Sequence, residues 1–134
     1  MSGTVIGQER VLKPRKEHWC FLCTVPIPKG EAHDRWCWVY DGSISRLRAH
    51  DDCKSYAHDC IDGWANGDGV EDNAVETDLW ERVTHRDQEW RYHINEAEVA
   101  SILATWPGLA PLIEKVRAEV RRENKEQEDE PESP

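Results

Sequence analysis

Two pairs of soft-metal ligands enclose the cysteine-rich part of this chain. The first pair is Cys20-Phe-Leu-Cys23, the second is His50-Asp-Asp-Cys53, and 26 residues separate them. Three thiolates and one imidazole in two such pairs form the donor set of a closed tetrahedral zinc site. Because four protein donors leave no position for a water molecule, the spacing predicts one structural Zn2+ ion rather than a catalytic one.

The residues between the two pairs predict the elements that bring the ligands together. Residues 33–40 alternate in polarity as a strand does, Asp41-Gly42-Ser43 is a hairpin turn, and residues 44–48 form the returning strand. The second pair then opens a helix, since two acidic residues follow His50 and acidic side chains are favoured in a first turn. A knuckle, a β-hairpin and a helix predict a treble-clef finger over residues 17–62.

The ligand pattern and the turn Ile27-Pro28-Lys29-Gly30-Glu31 resemble the treble-clef zinc knuckles found in small proteins of tailed bacteriophages. The ligand order is also similar to that of LIM domains and PARP-type zinc fingers. The resemblance covers residues 17 to about 60. A phage protein of this kind would be an accessory factor that binds and inhibits or otherwise modulates a host protein in the host cytoplasm, and this implication is an analogy.

A second metal site is an alternative use for four further donors. His33 and Cys37 are four residues apart on the predicted strand and therefore share a face, and His58 and Cys60 could complete the set. The other interpretation of the two cysteines is that they are buried free thiols. The sequence leaves both interpretations open.

Composition limits the size of the core and suggests the compartment. Of 134 residues, 38% are apolar and 33% are charged, so the core must be small and a metal would supplement it. Seven tryptophans add apolar area. An odd number of cysteines, with neither a signal peptide nor an apolar run long enough to span a membrane, predicts a cytoplasmic protein without a disulfide framework.

The net charge of -10 is unevenly distributed along the chain. Residues 1–56 carry nine basic and seven acidic side chains, whereas residues 57–134 carry eight basic and twenty acidic ones. An acidic half attached to a zinc finger predicts a protein-interaction module without catalytic activity, whose partner presents a basic surface. The sequence gives no information on the oligomeric state.

Nucleic-acid binding is the first alternative function. The finger contains four basic side chains near two tryptophans: Arg35, Arg46, Arg48 and Lys54. These could contact phosphates while the aromatic rings stack on bases, but a chain of net charge -10 is repelled by a polyanion. An HNH-like nuclease is the second alternative, and it is disfavoured because His50 is already required as a metal ligand.

The rest of the chain completes an α+β fold. We expect four further segments: a flexible basic arm over residues 1–16, an acidic glycine-rich loop over 63–78, a hairpin followed by two helices over 79–124, and a disordered acidic tail over 125–134. Residues 79–94 also fit a helical stripe, and the hairpin is preferred because Trp, Tyr, Val and Thr favour strands.

The two C-terminal helices have clear end signals. Asn95 followed by Glu98 makes an N-cap with its capping-box partner, which predicts a helix from residue 96 to about 105. Pro107-Gly108 ends that helix. The second helix is expected to fray near Asn124.

Overall fold

The computed structural model describes residues 4–61 and 73–129 and has a mixed α+β architecture, as the sequence predicts. The chain divides into two compact units, Met1–Asp78 and Leu79–Pro134. The elements of the described residues are β1 (Thr4–Val11), β2 (His18–Trp19), β3 (Pro26–Ile27), β4 (His33–Tyr40), β5 (Ser43–Ala49), α1 (Asp51–Cys60), α2 (Ala74–Val83), β6 (Thr84–Arg86), β7 (Tyr92–Ile94), α3 (Glu96–Thr105), a 3-10 turn (Pro107–Leu109) and α4 (Ala110–Asp129).

The first unit contains a three-stranded antiparallel sheet of order β1-β4-β5. β4 and β5 form the predicted hairpin, and Asp41 and Gly42 connect them. Both turn residues have positive φ, 49° and 78°, which matches a turn whose twist fits that of the strands it joins. The hairpin therefore follows directly from a local sequence signal.

The predicted flexible arm over residues 1–16 is wrong for half of its length, because Thr4–Val11 forms strand β1. This strand pairs antiparallel with β4, with Thr4 opposite Val39 and Val11 opposite His33. The register shifts between Ile6 and Glu9, where Gly7 has a φ of 62°. A bulge at this point bends an edge strand and reduces its tendency to pair with other chains.

Long-range ion pairs explain why this segment is ordered. Arg35 Nε donates to a carboxylate oxygen of Glu9 at 2.8 Å. Arg10 Nη2 donates to Asp51 Oδ2 at 2.8 Å and so joins β1 to the first turn of α1. The sequence could not show these contacts, because the two partners are 26 residues apart in the first pair and 41 residues apart in the second.

The predictions for residues 63–94 need two corrections. Residues 74–78 belong to α2 rather than to the glycine-rich loop, while residues 63–72 of that loop lie outside the described part of the chain. α2 continues through Val83, so the predicted hairpin over 79–94 is reduced to the short strands β6 and β7. The helical stripe and the hairpin are each correct for part of this segment.

The second unit builds its core from α3, the 3-10 turn and α4. Asn95 caps α3 by accepting the backbone N–H of Glu98 at 3.2 Å, which confirms the predicted cap. The buried apolar side chains follow the helical period: Val99, Ile102, Trp106, Leu109, Leu112, Ile113, Val116 and Val120. No helix in the two described ranges is both long enough and apolar enough to cross a membrane.

The predicted fraying at Asn124 and the predicted tail over residues 125–134 are wrong up to Asp129, where α4 ends. Residues 130–134 lie outside the described residues. Asn124 Oδ1 accepts the backbone N–H of Tyr92 at 2.9 Å, and its Nδ2 donates to the carbonyl of Tyr92 at 3.0 Å. The end of α4 is therefore held by the backbone of β7, a contact that composition does not reveal.

We expect Asn124→Ala to lower the free energy of unfolding by about 1–2 kcal/mol, because both backbone groups of Tyr92 lose their bonded partner. Denaturant unfolding and amide hydrogen exchange at the end of α4 would measure the loss. The adjacent exposed Lys125→Ala is the control and should change stability by less than about 0.5 kcal/mol. Equal losses in the two variants would contradict the role assigned to Asn124.

Candidate metal centre

The structure brings the four predicted metal ligands into one cluster. The donor atoms of Cys20, Cys23, His50 and Cys53 all lie within 4.8 Å of one another. All five cysteines of the chain are free thiols, so no disulfide competes for the sulfurs. Within residues 4–61 and 73–129, this is the one group of three or more such donors that could hold a metal ion. The arrangement is consistent with one metal site.

A tight turn positions the first ligand pair. The backbone N–H of Thr24 donates to the carbonyl of Cys20 at 3.0 Å, and Thr24 has a φ of 62°. The next residue, Val25, directs its N–H to the sulfur of Cys23 at 3.4 Å. This contact holds the sulfur of Cys23 against the backbone of the turn.

The strand β5 and the helix α1 position the second pair. Phe21 N–H donates to the carbonyl of Arg48 at 2.9 Å, which fixes the turn of the first pair beside the end of β5. His50 then precedes α1, and its carbonyl accepts the N–H of Lys54 at 3.0 Å. His50 and Cys53 are three residues apart at the start of a helix and therefore face the same side.

The imidazole of His50 is held in a defined orientation. Its Nδ1 lies 3.2 Å from the sulfur of Cys23 and 3.6 Å from the sulfur of Cys53. Its Nε2 lies 3.2 Å from the carbonyl of Pro26, to which it donates, and 3.8 Å from a carboxylate oxygen of Glu31. The ring therefore presents Nδ1 as the metal donor, because the Nε2 proton is used outside the cluster.

Sequence reasoning missed the contribution of Pro26 and Glu31 to this site. Both residues flank or belong to the turn that carries the resemblance described above, so a signal was present. Metal-bound histidines usually donate their second N–H to a carbonyl or carboxylate. Applied to His50, that rule predicts a carbonyl or carboxylate close to its second ring nitrogen, and this turn supplies both.

Burial and mutual hydrogen bonds govern protonation in the cluster. Cys20, Cys23 and Cys53 are each at most 1% exposed. Hydrogen bonds from Cys23 and Cys53 lower the pKa of the Cys20 thiol, and the hydrogen bond to Cys20 raises the pKa of Cys53. Burial lowers the pKa of His50, but hydrogen bonds to Cys20 and Cys23 outweigh burial and raise it to about 10. A metal cation would displace these shared protons when it binds.

The proposed second metal site does not form in the described residues. His33 is fully buried, with Nδ1 at 3.1 Å from the carbonyl of Glu31 and Nε2 at 2.9 Å from Nη1 of Arg48. Cys37 is half-buried farther along β4 and is not part of a group of three donors. Both ring nitrogens of His33 are therefore committed to hydrogen bonds rather than to a metal.

The other two candidates of that second site lie at the end of α1. His58 is exposed and lies 3.4 Å from a carboxylate oxygen of Asp59, and Cys60 is half-buried. The pair on β4 and the pair on α1 are each closely spaced along the chain, but the four side chains do not form one group of donors. The alternative of a second metal site considered spacing along the chain alone, and the described residues do not bring these four donors into one group.

The basic side chains considered for nucleic-acid binding occupy different environments. Arg35 bonds to Glu9, and Lys54 Nζ lies 2.9 Å from a carboxylate oxygen of Asp34. Arg48 is half-buried and bonds to His33, whereas Arg46 is exposed on β5.

Carbonyl groups in the turn that carries Cys20 and Cys23 also accept hydrogen bonds from the start of α2. The carbonyl of Phe21 accepts the N–H of Asn73 at 2.8 Å. The carbonyl of Leu22 accepts the N–H groups of Val75 at 3.0 Å and Glu76 at 3.2 Å. The first N–H groups of a helix lack partners within the helix, so these contacts stabilise the start of α2. The candidate metal centre thus also supports a helix that contributes no metal ligand.

No protein-family model, curated protein or solved structure matches this chain. The function is therefore inferred from the geometry of the cluster and the chemistry of the surface.

Proposed function

We propose that the protein is a small acidic interaction module stabilised by a single structural Zn2+ ion, and that it is not an enzyme. One observation carries this proposal: the four donors form a closed set, with three buried sulfurs and an imidazole fixed by the carbonyl of Pro26. Four protein ligands leave no coordination position at which water could be activated. The metal then maintains the fold, and function resides on the surface.

Donor chemistry supports zinc as the metal. Three thiolates and one imidazole suit Zn2+ in tetrahedral geometry, whereas Mg2+ and Ca2+ prefer oxygen donors. The order of elements supports a treble-clef finger over residues 17–62, since a ligand-bearing turn, the β4–β5 hairpin and the first turn of α1 follow one another along the chain. Elemental analysis of the purified protein should find about one zinc per chain.

The charge distribution supports a protein partner with a basic contact surface. Residues 57–134 contain twenty acidic and eight basic side chains, so this half repels polyanions and attracts basic surfaces. The resemblance to phage zinc knuckles extends the proposal to an accessory factor that binds and modulates a host protein in the host cytoplasm, as an inhibitor for example. This extension rests on analogy with that family.

Binding to nucleic acid is the competing function, and the environment of the basic residues disfavours it. Arg35 and Lys54 bond to carboxylates, and Arg48 bonds to His33, so Arg46 is the most available cation of the four. Affinity for DNA depends on many phosphate contacts, and three of these four cations already bond to other side chains of the chain.

The test compares two kinds of binding. Fluorescence anisotropy with a short DNA duplex and a single-stranded RNA should show no binding at physiological salt, whereas affinity capture should recover a protein partner. The purified partner should associate more slowly as salt is added, because screening weakens electrostatic steering. Micromolar or tighter DNA binding that Arg46→Ala weakens would instead establish the competing function.

A further inference from the structure

Trp90 is the most exposed tryptophan among the described residues. Its exposed fraction is 65%, whereas Trp36 and Trp106 are at most 7% exposed. It lies in the loop between β6 and β7. Exposed tryptophans with a fixed orientation are typical anchors of protein interfaces, since they offer large area at low entropic cost.

The backbone around Trp90 is held by several hydrogen bonds. Trp90 has a φ of 66°, a conformation that is rare for a bulky side chain. Its N–H donates to the carbonyl of Asp87 at 3.1 Å, and its carbonyl accepts Nε2 of Gln127 at 2.8 Å. Oδ1 of Asp87 also accepts the N–H groups of Glu89 at 2.8 Å and Arg91 at 3.0 Å. These bonds hold the backbone of the loop from which the indole projects.

A layered stack supports the indole ring from one side. The guanidinium carbon of Arg86 lies 5.4 Å from the centroid of the Trp90 ring and 4.5 Å from that of the Tyr92 ring. Tyr92 in turn packs edge to face against Trp80, with ring centroids 5.1 Å apart. Arg86 thus packs against both rings, yet Trp90 remains 65% exposed, so part of the indole is open to a further contact.

The segments that carry this stack have a small excess of acidic side chains. Residues 86–91 and 122–129, which include Arg86 and the Arg122 that pairs with Glu123 and Glu126, together contain six acidic and four basic side chains. The two segments meet in space, since Gln127 bonds to Trp90, and Arg91 pairs with Glu128. An exposed indole in an acidic surrounding favours a cationic partner group over an anionic one.

We propose that this surface, the β6–β7 loop together with the end of α4, binds a basic peptide segment of the partner protein. A lysine or arginine of that segment lies on the exposed part of the Trp90 ring, and the excess of acidic side chains in the two segments attracts the other cations of the peptide. The inference rests on the proposed interaction function and specifies the surface that performs it.

The complementary charge decides between a basic peptide and other occupants. A nucleic acid would bring phosphates toward the acidic end of α4, which electrostatics disfavours. A second copy of this chain would bring a molecule of net charge -10 toward the same acidic surface. A segment rich in lysine or arginine suits both the indole and the excess negative charge of the two segments.

The test selects binders from a phage-displayed library of random short peptides on immobilised, zinc-loaded, full-length protein. We expect the enriched peptides to be rich in Lys or Arg, and a synthetic copy of one should bind more weakly as salt rises. Trp90→Ala should weaken that binding about tenfold or more, and Trp90→Tyr should weaken it less because a tyrosine ring still attracts a cation. Circular dichroism and zinc content would verify that both variants fold.

Trp19→Ala is the matched control, because Trp19 is 61% exposed and lies in the other compact unit. It should leave peptide affinity unchanged. Failure to enrich any peptide, enrichment of peptides without cations, or equal affinity of the wild type and Trp90→Ala would each overturn the inference. The last two results would leave the proposed interaction function intact, whereas specific DNA binding in the anisotropy assay would remove that function itself.

Discussion

Cys23→Ser is expected to abolish stoichiometric zinc binding and cooperative unfolding together. The sulfur of Cys23 lies 3.2 Å from Nδ1 of His50 and is 1% exposed, so a hydroxyl in its place removes a donor from the centre of the cluster. Metal binding in such sites supplies ~10 kcal/mol or more of folding free energy, which exceeds the stability of many small domains. Elemental analysis and denaturant unfolding of the purified variant would measure both losses.

Cys37→Ser is the control for this prediction. Cys37 is a half-buried free thiol of β4 that belongs to no donor group in the described residues. We expect this variant to keep about one zinc per chain and a cooperative transition. A stoichiometry near two in the wild type, falling to one in Cys37→Ser, would restore the second metal site, and an unchanged melt of Cys23→Ser would reject the first.

His33→Ala should produce the second largest effect, a loss of about 3 kcal/mol in the free energy of unfolding with no loss of zinc. His33 is fully buried, and its ring nitrogens bond to the carbonyl of Glu31 and to Arg48. Truncation leaves those two groups without their partner and creates a cavity, and each effect costs on the order of 1–3 kcal/mol. Chemical denaturation combined with elemental analysis separates stability from metal content.

His58→Ala is the control for the effect of burial. The side chain of His58 is 68% exposed, so its removal should change stability by less than about 0.5 kcal/mol. Loss of zinc from either variant would contradict the assignment of His33 and His58 as residues outside the metal centre. Similar stability of both variants would mean that the hydrogen bonds of His33 contribute little.

Local signals predicted the cluster of four donors and the elements next to it. Each of the two ligand pairs, the hairpin with its Asp41-Gly42 turn and the N-cap at Asn95 depends on residues only a few positions apart. Within each of these short segments, the same few residues determine both the side-chain chemistry and the backbone conformation. Spacing and turn type therefore sufficed to predict them.

The failed predictions depend on partners that are distant along the chain. β1 is stabilised by Arg10 with Asp51, and the end of α4 by Asn124 with Tyr92. Charge density at both ends of the chain suggested solvated segments, but these specific bonds satisfy the charges and the amides. Composition indicates the average behaviour of a segment and does not identify such long-range pairs.

The order of the metal ligands along the chain has a consequence for biosynthesis. All four ligands precede α2, whose first N–H groups bond to the carbonyls of Phe21 and Leu22. A ribosome therefore releases a complete metal-binding segment before it makes α2, and N-terminal units generally fold first during synthesis. If the cluster binds zinc as proposed, early capture of the ion would fix these two carbonyls before α2 emerges, and the supply of zinc during translation should then influence the yield of folded protein.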